Sequence, residues 1–228
     1  LSDGRTADFS ANDEVDNKAE PAEITGEKDT QAPDETTTTV TVDDIAADGV
    51  LNKAESETDV VITGKVDGEF TEGDQVTVEV NGEAFSGTLD ADGNFSVTVP
   101  GADLAADTKV TVTVEATDEA GNKGSIAIEK EYGVDVNAPD APTDLELNDD
   151  GNELTGKAEP DSDIIVTDKE GNEIGSGKAD ENGDFTITLE PALTDGNTAD
   201  VIAKDEAGNK SEPAEITGEK DTQAPDET

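Results

Sequence analysis

Period-2 alternation is the feature that most limits what this chain folds into. It recurs at Gln75–Val80 (QVTVEV), Asn94–Val99 (NFSVTV), Val110–Ala116 (VTVTVEA), Ile164–Thr167 (IIVT) and Asp184–Leu189 (DFTITL). Successive side chains of an extended strand point to opposite faces, so β-branched and phenylalanine residues collect on one face and polar ones on the other. Half-buried antiparallel strands read this way. Turn signals lie between the runs: NG at 81–82, DADGN at 90–94, DEAGN at 118–122, KEGN at 169–172, ENGD at 181–184 and DEAGN again at 205–209. Turns spaced this closely, with no sustained helical period, predict a small all-β sandwich.

Composition offers a competing reading. Leu, Ile, Val and Phe supply 44 of 228 residues, which sits at the compositional edge of intrinsic disorder. The net charge is −45, from 14 Lys plus Arg against 59 Asp plus Glu. A solvated acidic chain has no reason to keep strict alternation with Asn-Gly punctuation, so the pattern favours a folded chain whose repulsion bound cations relieve. The same charge excludes nucleic acid as a partner and disfavours anionic membrane surfaces.

Residues 193–228 repeat residues 1–36 at an offset of 192, and Glu212–Thr228 is identical to Glu20–Thr36. Duplication of a large unit is the economical explanation, and the chain reads as a window on a longer tandem array. Such arrays serve reach or display more than catalysis. Proline-containing joints stand at DTQAP (29–33), DVNAP (135–139) and DTQAP (221–225), where proline stiffens a junction and cannot extend a central strand. They divide the chain into the last strands of a truncated repeat with its linker (1–36), a first domain (37–137), a second (138–222) and the start of the next linker (223–228).

Seven strands are expected in each domain. In the first they are Thr38–Asp43, Val60–Val66, Gln75–Asn81, Glu83–Leu89, Phe95–Pro100, Lys109–Thr117 and Gly124–Tyr132. In the second they are Asp144–Leu147, Glu153–Lys157, Ile164–Asp168, Glu173–Ala179, Phe185–Glu190, Thr198–Lys204 and Ala214–Glu219. The tail supplies only two strands, a marginal hairpin expected to be poorly ordered or to borrow an edge. Its turn reads DEVDN (13–17), with Asp16 where the other copies have Gly121 and Gly208.

Cys, His, Met and Trp are absent. That removes disulfides, thiolate sites, and the commonest general base and transition-metal ligand. Carboxylate pairs of glycosidase type are uninformative among so many acids, and an enzyme is not expected. The sequence holds no apolar run of signal-peptide or membrane-span length.

In a seven-strand immunoglobulin-type sandwich, three loops lie at the end where the chain enters. In the second domain these carry AEPDSD (158–163), DENGD (180–184) and DEAGN (205–209), with Asp135 in the entering linker. In the first they carry DGEFTEGD (67–74), DADGN (90–94) and DEAGN (118–122), with Asp29 entering. Acids packed so closely repel unless a hard cation joins them, and Ca²⁺ accepts six to eight oxygens in loose geometry. Mg²⁺ demands tighter octahedral geometry, and transition metals prefer imidazole or thiolate. The candidate Ca²⁺ ligands are therefore Asp29 with Asp118, and Asp135 with Glu159 and Asp205. Asp221 is the equivalent linker residue of the next joint. A second acidic segment, DDIAADGVLNKAE (43–55), adds Asp48, Asn52 and Glu55, without EF-hand spacing. Asp118 and Asp205 also suit the competing role of capping their own turns, as do Asp90, Asp92, Asp180 and Asp184. The lone Tyr132 is read as core or joint packing, not as a recognition residue.

The DxxAP linkers, the DEAGN turns, GKAEPDS (156–162), DGVLNKAE (48–55) and DGNFSVTVPGADLAADTKVTVTVEATDEAGN (92–122) together resemble bacterial immunoglobulin-like repeats. Such repeats build giant Gram-negative surface adhesins of the biofilm-associated-protein and RTX-adhesin class, exported by type I secretion. The resemblance implies tandem Ig-like sandwiches, extracellular at the bacterial cell surface, with Ca²⁺ stiffening their joints. It implies neighbouring repeats of the same chain as direct partners, no membrane insertion, and contact with matrix or host surfaces through other domains. The expected function is a structural stalk supporting cell adhesion and biofilm formation. The alternative is a ligand-binding module recognising a glycan or host protein, for which 3% aromatics and no Trp are poor equipment.

Overall fold

The computed structural model describes residues 29–219, together with the backbone of two short strands before them. Those strands, β1 (Thr6–Phe9) and β2 (Ala22–Thr25), pair antiparallel. Next come β3 (Thr38–Val42), β4 (Val50–Asn52), α1 (Lys53–Ser56), β5 (Asp59–Gly68), β6 (Gln75–Val80) and β7 (Glu83–Thr88). They are followed by β8 (Asn94–Pro100), α2 (Gly101–Ala105), β9 (Lys109–Thr117), β10 (Lys123–Glu131) and β11 (Gly133–Asp135). The last seven strands are β12 (Thr143–Leu147), β13 (Glu153–Lys157), β14 (Asp163–Asp168), β15 (Glu173–Lys178), β16 (Asp184–Thr188), β17 (Thr198–Lys204) and β18 (Ala214–Thr217).

The fold divides into two compact units. One holds the chain to Asp44 with Val61–Val99 and Lys109–Glu131; the other holds Ile45–Val60, Pro100–Thr108 and the chain from Tyr132. Sheets β3-β5-β8 and β10-β9-β6-β7 make the first sandwich, and sheets β12-β13-β16 and β15-β14-β17-β18 repeat that strand order in the second. Both are immunoglobulin-like, as the alternation predicts. The alternation is read out directly: β6 buries Val76, Val78 and Val80, and β9 buries Val110, Val112, Val114 and Ala116. In the second sandwich Leu154, Ile164, Val166, Phe185, Ile187, Val201 and Ala203 form one core.

Each sandwich places a glycine under a phenylalanine. Gly156 pairs with Phe185 across β13 and β16, and a Cβ built on Gly156 would stand 2.5 Å from the ring's Cζ. Gly64 meets the ring of Phe95 at the same distance. Only a residue without a side chain leaves room for these rings beside the neighbouring backbone.

The second unit also contains elements that the alternation does not announce. β4 pairs parallel with β11, Val134 opposite Leu51. α1 begins with a capping box: Asn52 Oδ1 accepts the Glu55 N–H at 3.0 Å, and Glu55 Oε2 accepts the Asn52 N–H at 3.0 Å. The Tyr132 hydroxyl, in a side chain only 7% exposed, donates to the Leu104 carbonyl of α2 at 2.8 Å. This is the core packing expected for the lone tyrosine. Among the described residues no helix is long and apolar enough to cross a membrane.

Candidate functional site

One five-residue turn recurs and sets the local chemistry. At 90–94, 118–122, 168–172, 180–184 and 205–209 the first Asp donates its backbone N–H to the fifth residue's carbonyl, at 2.9–3.1 Å. Its own carbonyl accepts the N–H of the fourth residue, a glycine with φ between 80° and 91°. Glycine is required there because other side chains resist that backbone region. The Asp carboxylate closes the loop by accepting the fifth residue's backbone N–H, as in Asn122 to Asp118 and Asn209 to Asp205, both 2.8 Å. These bonds favour the ionised carboxylate. Asp118 is held below the usual carboxylate range chiefly by the Asn122 side chain, and Asp90 and Asp168 by Asn94 and Asn172. Asp180 is lowered first by the Asn182 backbone N–H.

In the second unit three segments bring acids to one cleft of about 640 Å³. Its walls carry Asp135 from β11, Glu159 and Asp161 from the β13–β14 loop, Asp163 at the start of β14, and Asp205 and Glu206 from the turn after β17, opposed by Lys178 and Lys204. The β13–β14 loop is shaped by Ser162, 2% exposed, whose Oγ donates to the Glu159 carbonyl at 2.7 Å. Asp161 takes a positive φ of 64° beside it. Lys204 reaches Asp163 at 3.9 Å. Asp135 accepts the Asn137 N–H at 3.1 Å, and Asp29 accepts the Gln31 N–H at 3.0 Å, so both linker acids brace their own linkers alike.

The predicted trio Asp135, Glu159 and Asp205 therefore lines one cleft. The DENGD turn expected beside it does not: Asp184 pairs with Lys157, and Gly183 accepts the Ala158 N–H through its carbonyl at 2.9 Å. In the first unit Asp29 and Asp118 are linked through Asn122, whose Nδ2 donates to the Asp29 carbonyl at 3.4 Å and to Asp118 Oδ2 at 2.8 Å. Asp48 accepts the Val50 N–H at 2.9 Å, and Asn52 and Glu55 serve each other in the α1 capping box. Asp221 and the DEVDN turn lie outside the described residues.

The carboxylate oxygens of the cleft, with no imidazole or thiolate beside them, suit Ca²⁺, while Lys178 and Lys204 oppose it. Its carboxylates line the walls without gathering, for among the described residues no three acids stand together as ready-made metal ligands.

Two residues matter more than their composition suggests. Asn209, 4% exposed, donates through Nδ2 to the Asp135 carbonyl at 2.9 Å and to Asp205 Oδ2 at 2.8 Å. Its Oδ1 accepts the Lys53 N–H at 2.7 Å. Asp74 accepts from the Thr71 N–H, the Thr117 N–H and the Thr117 hydroxyl at 2.7–2.8 Å, tying the β5–β6 loop to β9. The signal for Asn209 was present in its shared last position of both DEAGN copies.

The geometry defines a class: Ig-like sandwiches with acidic, turn-braced linkers. Residues 138–220 match the bacterial Ig domain family. The chain is 27% identical to the structure of a Ca²⁺-stabilized adhesin that helps an Antarctic bacterium reach out and bind ice, covering 93% of this chain and 55% of that one, with a TM-score of 0.57. It thus spans about half of that structure. A 1.5-MDa bacterial ice-binding adhesin, at 21% identity, 92% and 72% coverage and a TM-score of 0.56, shares the fold. An immunoglobulin-like domain from the M. primoryensis ice-binding adhesin is 43% identical over 42% of this chain and 96% of its own, with a TM-score of 0.41. No protein of curated function matches. Residues 138–220 therefore form a bacterial Ig domain, and the chain as a whole shares the Ig-like fold of these adhesin structures.

Proposed function

We propose that this chain is a non-catalytic extender segment of a bacterial cell-surface adhesin, in which domains 37–137 and 138–222 alternate and Ca²⁺ stiffens the joints. The observation that carries the reading is that linker Asp135, Glu159 and Asp205 line one acidic cleft. A cation there joins the linker to two loops of the sandwich that follows, which converts mutual repulsion into attraction. Asp161, Asp163 and Glu206 would share the role, while Lys178 and Lys204 balance the cleft when it is empty of cation. Asp29 and Asp118 take the equivalent places at the preceding joint, and Asp221 at the next. The similarity to a Ca²⁺-stabilized adhesin supports this reading.

When bound, Ca²⁺ supplies oxygen coordination and charge neutralisation; the chain's own residues do the rest. The five-residue turns fix Asp118 and Asp205 in place, the prolines of the linkers limit their excursions, and the paired sheets carry load from joint to joint. In the low-Ca²⁺ cytosol the chain stays repelled and loosely held, which suits export. Outside, at the cell surface, cation binding contributes folding energy. Adhesion and biofilm support follow from reach, with target recognition assigned to other domains.

Small-angle scattering and thermal melting of the chain, in millimolar Ca²⁺ and then in chelator, test the proposal. A higher melting temperature and a stiffer, more extended profile with Ca²⁺ uphold it. Identical curves in both conditions reject the cation-stiffened stalk.

A further inference from the structure

The bonds of Asn209 leave no side-chain hydrogen-bonding group idle, and they reach three segments far apart in sequence. Lys53 lies 156 residues before it and Asp135 lies 74 before it, while Asp205 belongs to its own turn. An amide so placed is satisfied only while all three segments stay together. Parting them leaves a buried donor and acceptor unpaired, or admits water to a site that is now closed. All of these bonds run between atoms of the chain itself.

We infer that Asn209 is a metal-independent clamp that fixes the linker and α1 to the second sandwich's DEAGN turn. The inference deepens the extender reading and rests on it, since a stalk needs its joints held. It assigns the joint two devices of different chemistry. The carboxylates of the cleft respond to Ca²⁺; the amide does not. Asn122 carries the same half of the clamp in the first unit, donating to the linker carbonyl of Asp29 and to Asp118 Oδ2.

Lys53 provides a clean test. It is the first residue of α1, directly after the Asn52 cap, where proline is well tolerated because that N–H has no partner inside the helix. Asn52 has φ −92° and ψ 177°, an extended conformation that a following proline accepts. Lys53→Pro thus deletes the N–H that Asn209 receives without touching the DEAGN turn. Asn209→Ala removes the clamp from the other side.

The chain has no cysteine, so nitroxide labels on Asp59→Cys and Ser176→Cys, both at exposed positions, are unique. Dipolar spectroscopy then reads the distance distribution between them, in chelator and in millimolar Ca²⁺. The labelled parent is expected to give a narrow distribution in chelator, and Lys53→Pro or Asn209→Ala to broaden it at least twofold. If Ca²⁺ narrows both variants again, clamp and cation are both upheld. If Ca²⁺ leaves the variants broad, the clamp stands and the cation reading fails at this joint. A parent that is broad in chelator and narrow only with Ca²⁺ overturns the clamp and leaves the cation reading intact. Variants as narrow as the parent in chelator overturn it too.

Discussion

Tyr132 and the turn aspartates show how single residues couple this fold to pH, in opposite directions. Burial, with a smaller push from Asp107, raises the Tyr132 phenol to about 12, and its proton is engaged on the Leu104 carbonyl. A folded value above the unfolded one near 10 means this contribution is complete below about pH 10 and is lost as pH rises through 12. Because the chain has one Tyr and no Trp, an ultraviolet absorbance titration follows this group alone. The expected curve has its midpoint near 12 in the folded protein and near 10 in denaturant; a folded midpoint near 10 would show the hydroxyl to be solvated. Tyr132→Phe should cost about 1 kcal/mol in chemical denaturation, the usual worth of one such bond. The turn aspartates Asp90, Asp118, Asp168 and Asp180 run the other way. Their folded values are depressed, so what they contribute is present above about pH 3.9 and disappears as pH falls through the folded values.

Between residue and molecule, the strand is the element that the sequence describes best. All fourteen sandwich strands start and end within two residues of expectation, because alternation is a property of neighbours and survives every local accident. The glycine beneath each phenylalanine tests how tightly those strands pack. Gly156→Ala puts a methyl group into the Phe185 ring, with Leu145 also in the way, and should destabilise by about 1–3 kcal/mol. Phe185→Leu alone costs packing, yet in the double variant the two losses should sum to less than their separate values, as a denaturation cycle would reveal. Strict additivity would mean that the methyl group and the ring do not meet. What the alternation did not disclose is short: α1 and α2 have four and five residues, too few for a helical period to emerge. Only the Asn52–Glu55 capping-box spacing announces α1. At the site, Asp135, Glu159 and Asp205 were legible because acids on linker and loops of one sandwich end must approach. The amide of Asn209 was visible only as the shared last position of the DEAGN turns, and its partners were not, since they come from segments that no local pattern connects.

At the scale of the whole chain, charge dominates. A net −45 on 228 residues makes self-repulsion a standing cost of the compact state, which lysine pairs such as Lys65–Asp67, Lys109–Glu129 and Lys169–Asp200 relieve locally. Such exposed pairs contribute little each. Lowering pH from 7 discharges carboxylates and should first stabilise the protein by reducing repulsion. Below about pH 3.9 the turn aspartates must take up protons that the folded turns resist, and stability should fall. The two effects predict a maximum in melting temperature near pH 4–5 at low ionic strength without divalent cations. Salt separates them, because repulsion between exposed charges is screened beyond about 10 Å at 0.1 M whereas the turn bonds act at contact. Adding monovalent salt should therefore raise the melting temperature at pH 7 and flatten the climb toward pH 5, while leaving the acid drop in place. A melting temperature that declines steadily from pH 7 downward, unmoved by salt, would mean that repulsion does not limit this fold, and the need for a cation at its joints would lose its physical basis.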